Sequence, residues 1–320
     1  MRVQAIAHPR LAGSPMEEFT YWVNGKFLPA SQAVMPINSR GYRLGDGVFD
    51  TERTFNGKLF RLAAHLERLQ RSLHFVRIDL GLSMDELAEI AEETTARNRH
   101  LLGRCGDFWV TETISREPGN KAFVSVIVEP LPFERYAPYY AKGVPLVIPS
   151  VRSSAQIGMD PKLKATSRLN MVLADLEGKQ IDPNSLSVLL DEHGNLAEVL
   201  YGNLFVLRGG RIRTPTSRAI LEGVTRMTTV ELIGAEGLPL EEADLQPYDL
   251  YTADEAFCTT TSYCLLPIAS LNGRPLGKAV PGPVSQRLTQ AWNRMAGLDI
   301  PAQFQKFGAK ATPVPVSVAT

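Results

Sequence analysis

A strand that has to accept charge on one of its faces limits the folds open to this chain. Residues Val48 to Phe55 read as that strand, ending in an Asn56-Gly57 turn. With a period of two, Phe49, Thr51, Arg53 and Phe55 share one face, while Val48, Asp50, Glu52 and Thr54 share the other. Neither face is purely apolar.

Around this strand the first half of the chain reads as a meander with two helices set against it, an α+β arrangement. Tyr21 to Leu28 forms a hairpin about Asn24-Gly25, which supplies the positive φ angles of a tight turn. Leu62, Leu66, Leu69 and Leu73 recur at helical spacing, with His65 and Arg68 beside the stripe and one turn apart. Ser83 and Glu86 form a capping box for the next helix, and strands from Phe108 to Ser115 and Ala122 to Val128 follow. A segment rich in Pro, Tyr and Gly from Leu131 to Pro145 then marks a domain boundary.

The second half opens with a strand at Leu146 to Ile148 and a helix after Lys164. Leu186 to Leu190 returns through the turn Asp191 to Asn195, Leu204 to Leu207 precedes Gly209-Gly210, and Gly223 precedes a helix to about Ile233. Ala256 to Cys258 reads as a strand and Pro283 opens the last helix. The expected organisation is an arm over 1–20, a small α+β domain over 21–138, a linker over 139–145, a large domain over 146–303 and a flexible tail over 304–320.

A length of 320 residues with 44% hydrophobic content suits two compact domains. The 34 basic and 34 acidic residues cancel, so no global field draws the chain to nucleic acid or anionic lipid. Cys105, Cys258 and Cys264 follow no metal-ligand spacing, which favours reduced thiols and no bound metal. A charged, Pro-containing N-terminus and no run of about 18 apolar residues favour a cytoplasmic protein with no membrane partner.

Lys164 is the candidate reactive amine. In Asp160-Pro-Lys-Leu-Lys-Ala-Thr-Ser-Arg-Leu-Asn170, Thr166 or Ser167 can cap a helix whose apolar stripe is Leu169, Val172, Leu173 and Leu176. Lys164 therefore stands at an element boundary. A lysine there is ordinarily a solvated charge, so its reading as a reactive amine draws on the rest of the chain.

Three segments, the one containing Lys164, Gly45-Asp-Gly-Val-Phe-Asp50 and Phe60-Arg-Leu-Ala-Ala-His-Leu-Glu-Arg68, together resemble a class IV aminotransferase. Glu198 with Asn203, Gly223-Val-Thr225 and Phe257-Cys-Thr-Thr-Thr261 extend the likeness, in family order, from about Tyr21 to Trp292. The resemblance implies a two-domain α+β or α/β enzyme of fold type IV, similar to D-amino acid aminotransferase. It implies pyridoxal phosphate at the domain interface as a Schiff base on Lys164, and a homodimer. Glu198 would face the pyridine nitrogen. Arg68, the backbone N–H groups of Val224 and Thr225, Thr260 and Thr261 would hold the phosphate, with Gly223 permitting close approach.

For the substrate, the resemblance places Phe49, Thr51, Thr111 and Arg116 about the site. Ile114-Ser-Arg116 looks like the Val-Thr-Arg segment whose arginine binds a carboxylate in the D-amino acid branch. Several positions depart from the family pattern. Val199, Leu200 and Tyr201 replace the small residues usual after the glutamate, and Glu117 replaces a glycine. Leu44 stands for an aromatic hydroxyl, and Thr111 for an arginine of the branched-chain branch. The expected reaction moves an amino group between an amine or amino acid and a 2-oxo acid or ketone. (R)-amines or D-amino acids are favoured over branched-chain L-amino acids. The alternative is a lyase of the 4-amino-4-deoxychorismate type, which shares these cofactor residues.

Overall fold

The computed structural model describes residues 18–119, 121–153 and 158–309. Among them the strands form two sheets. In the six-stranded sheet the order is Lys26–Pro29, Thr20–Val23, Lys121–Pro130, Phe108–Glu117, Gly47–Phe55, Lys58–Leu59, with every pairing antiparallel. Asn24 and Gly25, at φ 44° and 87°, make the first hairpin, and Asn56 and Gly57, at φ 51° and 72°, close the charged strand as expected.

Helices Leu62–Val76 and Met84–Arg97 cover this sheet, the second opened by the Ser83–Glu86 capping box. Leu66, Leu69 and Leu73 bury against Val48, Val110 and Ile114, so one core joins the helix stripe to one strand face. Asp50, Glu52 and Glu112 lie on that same face and are fully buried.

The nine-stranded sheet is mixed, with strands Cys264–Leu271, Val144–Val147 and Leu186–Leu190 adjacent and parallel at its centre. Helices Val224–Ala235 and Pro283–Ala296 pack on its strands, and Leu169–Ile181 packs on Leu186–Leu190. A larger apolar core follows this sheet. Residues Leu131 to Pro145 carry two short helices, and Tyr136, Tyr139 and Tyr140 are buried in that core.

Three expectations change. The helix after Lys164 starts at Leu169, with Arg168 at the cap position and no side-chain cap bond. Backbone bonds from Phe49 N to Lys164 O (3.0 Å) and from Thr166 N to Gly47 O (3.0 Å) hold Lys164 to Thr166 extended against the charged strand. The Thr166 hydroxyl donates to the carbonyls of Gly45 and Gly47 and caps nothing. Second, Leu169, Leu173 and Leu176 are 69%, 48% and 56% exposed, and the helix buries Ala174, Asp175 and Gly178 instead. A Cβ at Gly178 would meet Ser187 Oγ at 2.4 Å, so the small residue sets this close approach.

Third, the Pro283 helix is followed by another, Ile300–Gly308, capped by Asp299 and carrying a fully buried Phe304. The Phe304 ring lies 4.7 Å from Phe133 and 5.1 Å from Tyr140, which removes residues 304–308 from the expected tail. Gln303 of this helix ties it to the six-stranded sheet, accepting from Arg53 Nη2 and donating to Asp107 Oδ2. Most of the expected arm, residues 1–17, and the remainder of the tail, residues 310–320, lie outside the described residues.

Candidate active site

Lys164 projects from the extended segment that pairs with the charged strand. Its Nζ stands 4.6 Å from the centre of the Phe49 ring, in a cavity enclosing roughly 880 Å³ with its mouth included. Burial first, and then the Arg68 guanidinium, lower its pKa from 10.5 to about 7. Near neutral pH a large share of this amine is uncharged, the form that attacks a carbonyl or takes up a proton. Lys162, which matches the residue type, is paired with Asp160 at 3.4 Å with its side chain 41% exposed.

Glu198 enters the cavity from strand Leu196–Val199 and is buried. Burial raises its pKa to about 7 against the opposing pull of the Leu221 N–H and Lys164. A carboxyl poised at neutrality can hold a hydrogen bond to a ring nitrogen as donor or acceptor.

At another part of the cavity wall the groups suit an anion. Arg68 reaches it from helix Leu62–Val76, donating Nε to Asp50 Oδ2 (2.8 Å), Nη2 to Asp50 Oδ1 (2.6 Å) and Nη1 to Glu222 O (3.0 Å). Asp50 also meets His65 Nδ1 at 2.8 Å. Burial alone would raise the Asp50 carboxyl, but Arg68 and His65 outweigh it and hold that carboxyl well below the usual range. Burial lowers the pKa of His65, so its ring is neutral and Nδ1–H donates to Asp50.

Beside Arg68, helix Val224–Ala235 starts at Gly223 with no side-chain cap, leaving its first N–H groups for a ligand. A Cβ at Gly223 would fall 2.2 Å from Asn203 Oδ1, so only glycine fits between the Asn203 side chain and this helix start. Thr259 Oγ1, on the cavity wall, is buried with no hydrogen-bond partner among the described residues.

The structure thus brings together Lys164, Glu198, Arg68, Val224, Thr225, Thr260, Thr261 and Phe49 about one cavity. The Thr260 and Thr261 hydroxyls are already engaged, donating to Tyr201 O (3.0 Å) and Thr51 O (3.3 Å). Thr51 and Thr111 do not line the cavity. Their hydroxyls bond each other across the sheet at 3.0 Å. Arg116 is also not brought to it: Nε bonds Asp46 (3.2 Å), Nη1 the Arg77 carbonyl (3.1 Å) and Nη2 the Val76 carbonyl (2.5 Å). The site residues that sequence reasoning left out are Asp50, Thr259, Arg168 and Tyr201. Asp50 had a signal, as an acid on a strand face that had to accept charge, and Tyr201 had one as a bulky residue where small ones are usual.

No group of His, Cys, Asp and Glu among the described residues could hold a metal ion, and no described helix is long and apolar enough to cross a membrane. Residues 47–271 match the family described as Amino-transferase class IV. The D-alanine aminotransferase of Bacillus licheniformis is 27% identical, with 84% of this chain and 94% of that protein aligned. The branched-chain aminotransferase of Thermoproteus uzoniensis, solved with norvaline, superposes with a TM-score of 0.78 at 28% identity, covering 93% of this chain and 99% of that one. A branched-chain amino acid aminotransferase from T.th., solved with pyridoxamine 5'-phosphate, gives the same TM-score and coverage at 26% identity. A lysine poised near neutrality, a carboxyl and an anion site within one cavity meet the requirements of that chemistry, and the chain belongs to the class IV aminotransferases, as a transaminase of fold type IV.

Proposed function

We propose that this chain, as a homodimer, uses pyridoxal phosphate to move an amino group between an amino acid or amine and a 2-oxo acid or ketone. (R)-amines or D-amino acids are preferred over branched-chain L-amino acids. The observation that carries the reading is the Lys164 amine, lowered to about 7, in one cavity with the buried Glu198 carboxyl and Arg68.

The residues fit the cofactor. Arg68 and the uncapped N-terminus of the Val224 helix would take its phosphate, the unpartnered Thr259 hydroxyl offers a further polar contact, and Glu198 would meet its ring nitrogen. When bound, pyridoxal phosphate supplies the electron sink. Lys164 Nζ, neutral for much of the time at pH 7, would take the proton from the substrate carbon and pass it to the cofactor carbon that keeps the nitrogen. Asp50 keeps Arg68 aimed at the phosphate through two hydrogen bonds. The substrate preference rests on the resemblance: Leu44 stands where amino acid members often carry an aromatic hydroxyl, and Thr111 where the branched-chain branch has an arginine.

The test is a set of half-reactions with purified, cofactor-loaded protein. Enantiopure D- and L-alanine, L-leucine and both enantiomers of 1-phenylethylamine are supplied singly, and the absorbance change to the pyridoxamine form is followed. Faster conversion by D-alanine or the (R)-amine is expected. Fastest conversion by L-leucine overturns the preference, and a protein that converts none of these donors but releases pyruvate from 4-amino-4-deoxychorismate, supplied separately, moves the chain to the lyase class.

A further inference from the structure

Four residues after Lys164, at the cap position of the following helix, Arg168 lines the same cavity. Its guanidinium carbon lies 4.4 Å from the centre of the Phe49 ring and 5.2 Å from that of Tyr201. Phe49 is the ring that Lys164 Nζ also approaches, at 4.6 Å. Amine and guanidinium are thus no further apart than the sum of their distances to that shared centre, a span that a small amino acid can bridge.

Arg168 differs from the arginines that hold a carboxylate, and from the buried Arg53, which donates to the Thr54 and Ser262 carbonyls and to Gln303. Arg68 has Asp50, Arg116 has Asp46 and Arg226 has Glu242, whereas no described carboxylate lies within ion-pair distance of Arg168. Burial lowers its pKa, opposed only by the neighbouring Tyr201 hydroxyl. A partly buried cation held only by aromatic rings is costly unless something else completes it. The rings fix the guanidinium while its N–H groups keep the capacity to bind a carboxylate through two parallel bonds.

The backbone bears a cost for one of these rings. Tyr201 has φ +61°, a left-handed conformation unusual for a bulky non-glycine residue. That strain sits in the turn after Glu198 and sets the ring against Arg168. Tyr201 is also one of the residues by which this turn departs from the small side chains of its family.

We infer that Arg168 binds the substrate's carboxylate, so that it selects amino acids and 2-oxo acids over amines and ketones without a carboxylate. The inference rests on the transaminase reading above. Arg116, tied to Asp46 and to two backbone carbonyls, does not take this role within the chain's own cavity.

The experiment compares the cofactor-loaded wild type with Arg168→Ala, Arg168→Lys and Arg116→Ala. Half-reaction efficiencies are measured for alanine and for 1-phenylethylamine, each as the faster enantiomer. Arg168→Ala is expected to shift the alanine-to-amine ratio against alanine by about 10- to 200-fold, mostly through KM, with Arg168→Lys between it and wild type. Arg116→Ala leaves the ratio in place. Butyrate, a carboxylate without an amine, provides a second reading: it perturbs the cofactor absorbance of wild type, and Arg168→Ala weakens that titration by a similar factor.

Equal losses for both substrates, or an unchanged ratio with unchanged butyrate binding, overturn the assignment. So does a ratio that shifts in Arg116→Ala and not in Arg168→Ala. A wild type that converts no donor while holding its cofactor overturns the transaminase reading itself, a distinct result.

Discussion

Asp50 and Glu52 stand two residues apart on the same face of the same strand, both fully buried, and the fold treats them in opposite ways. Asp50 meets a guanidinium and a neutral imidazole and is kept ionised. Glu52 meets Glu112, another carboxyl, across the strand pair, and neither group has any other polar partner among the described residues. Burial raises both, Glu52 well above its ordinary range and Glu112 to about 7, and each feels the other or Asp50 as a further negative charge. Two facing carboxyls with no cation can bond each other only by sharing a proton. Burial alone therefore does not decide whether an acid is charged; its partners do. The ionised acid is the one that reaches the cavity, through Arg68.

The largest way to break this comparison is Asp50→Asn. It leaves Arg68 buried without its counter-charge, and breaking one partner of a buried pair costs about 3–5 kcal/mol. In cofactor-free protein the thermal midpoint should fall accordingly. Cofactor phosphate would restore an anion to Arg68, so the loss should be smaller in loaded protein. Equal losses in the two forms would show that Asp50 acts on the fold alone.

How much of this was legible beforehand depended on how local each feature is. The helix stripe carrying Arg68, the capping box at Ser83 and the Asn-Gly turns are settled within a few residues, and the structure keeps all of them. Lys164, Glu198 and Gly223 were legible because each sits in a short segment with a recognisable order along the chain. Arg116 does not reach the cavity of its own chain, because Asp46 and the Val76 and Arg77 carbonyls, which come from other elements, hold its guanidinium elsewhere. The contact of Arg168 with Tyr201 joins a helix cap to a later turn, and no periodicity announces it. Helix Ile300–Gly308 escaped notice because its two anchors, Ile300 and Phe304, are buried against elements far away in sequence. The Glu52–Glu112 pair follows from register, which the strand patterns alone left open.

That pair gives the smaller and sharper test. For an acid whose folded pKa lies above its unfolded value, both states are protonated below about pH 4.5, and the group costs nothing there. Between that pH and about 7 the unfolded chain releases the proton while the folded chain retains it, so stability falls as pH rises. Above the folded pKa the cost is fully present, as like charges buried side by side. Glu112→Gln removes one titrating group and supplies an N–H donor to the Glu52 carboxyl. At pH 8 the variant should be more stable than wild type by about 1–3 kcal/mol, the usual cost of a buried group left without its bond. At pH 4.5 the difference should vanish. The thermal midpoint of both proteins, measured from pH 4.5 to 8.5, checks the sign directly. A variant less stable at pH 8, or a difference that does not change with pH, would mean that the two carboxyls do not share a proton and that Glu52 finds its partner elsewhere.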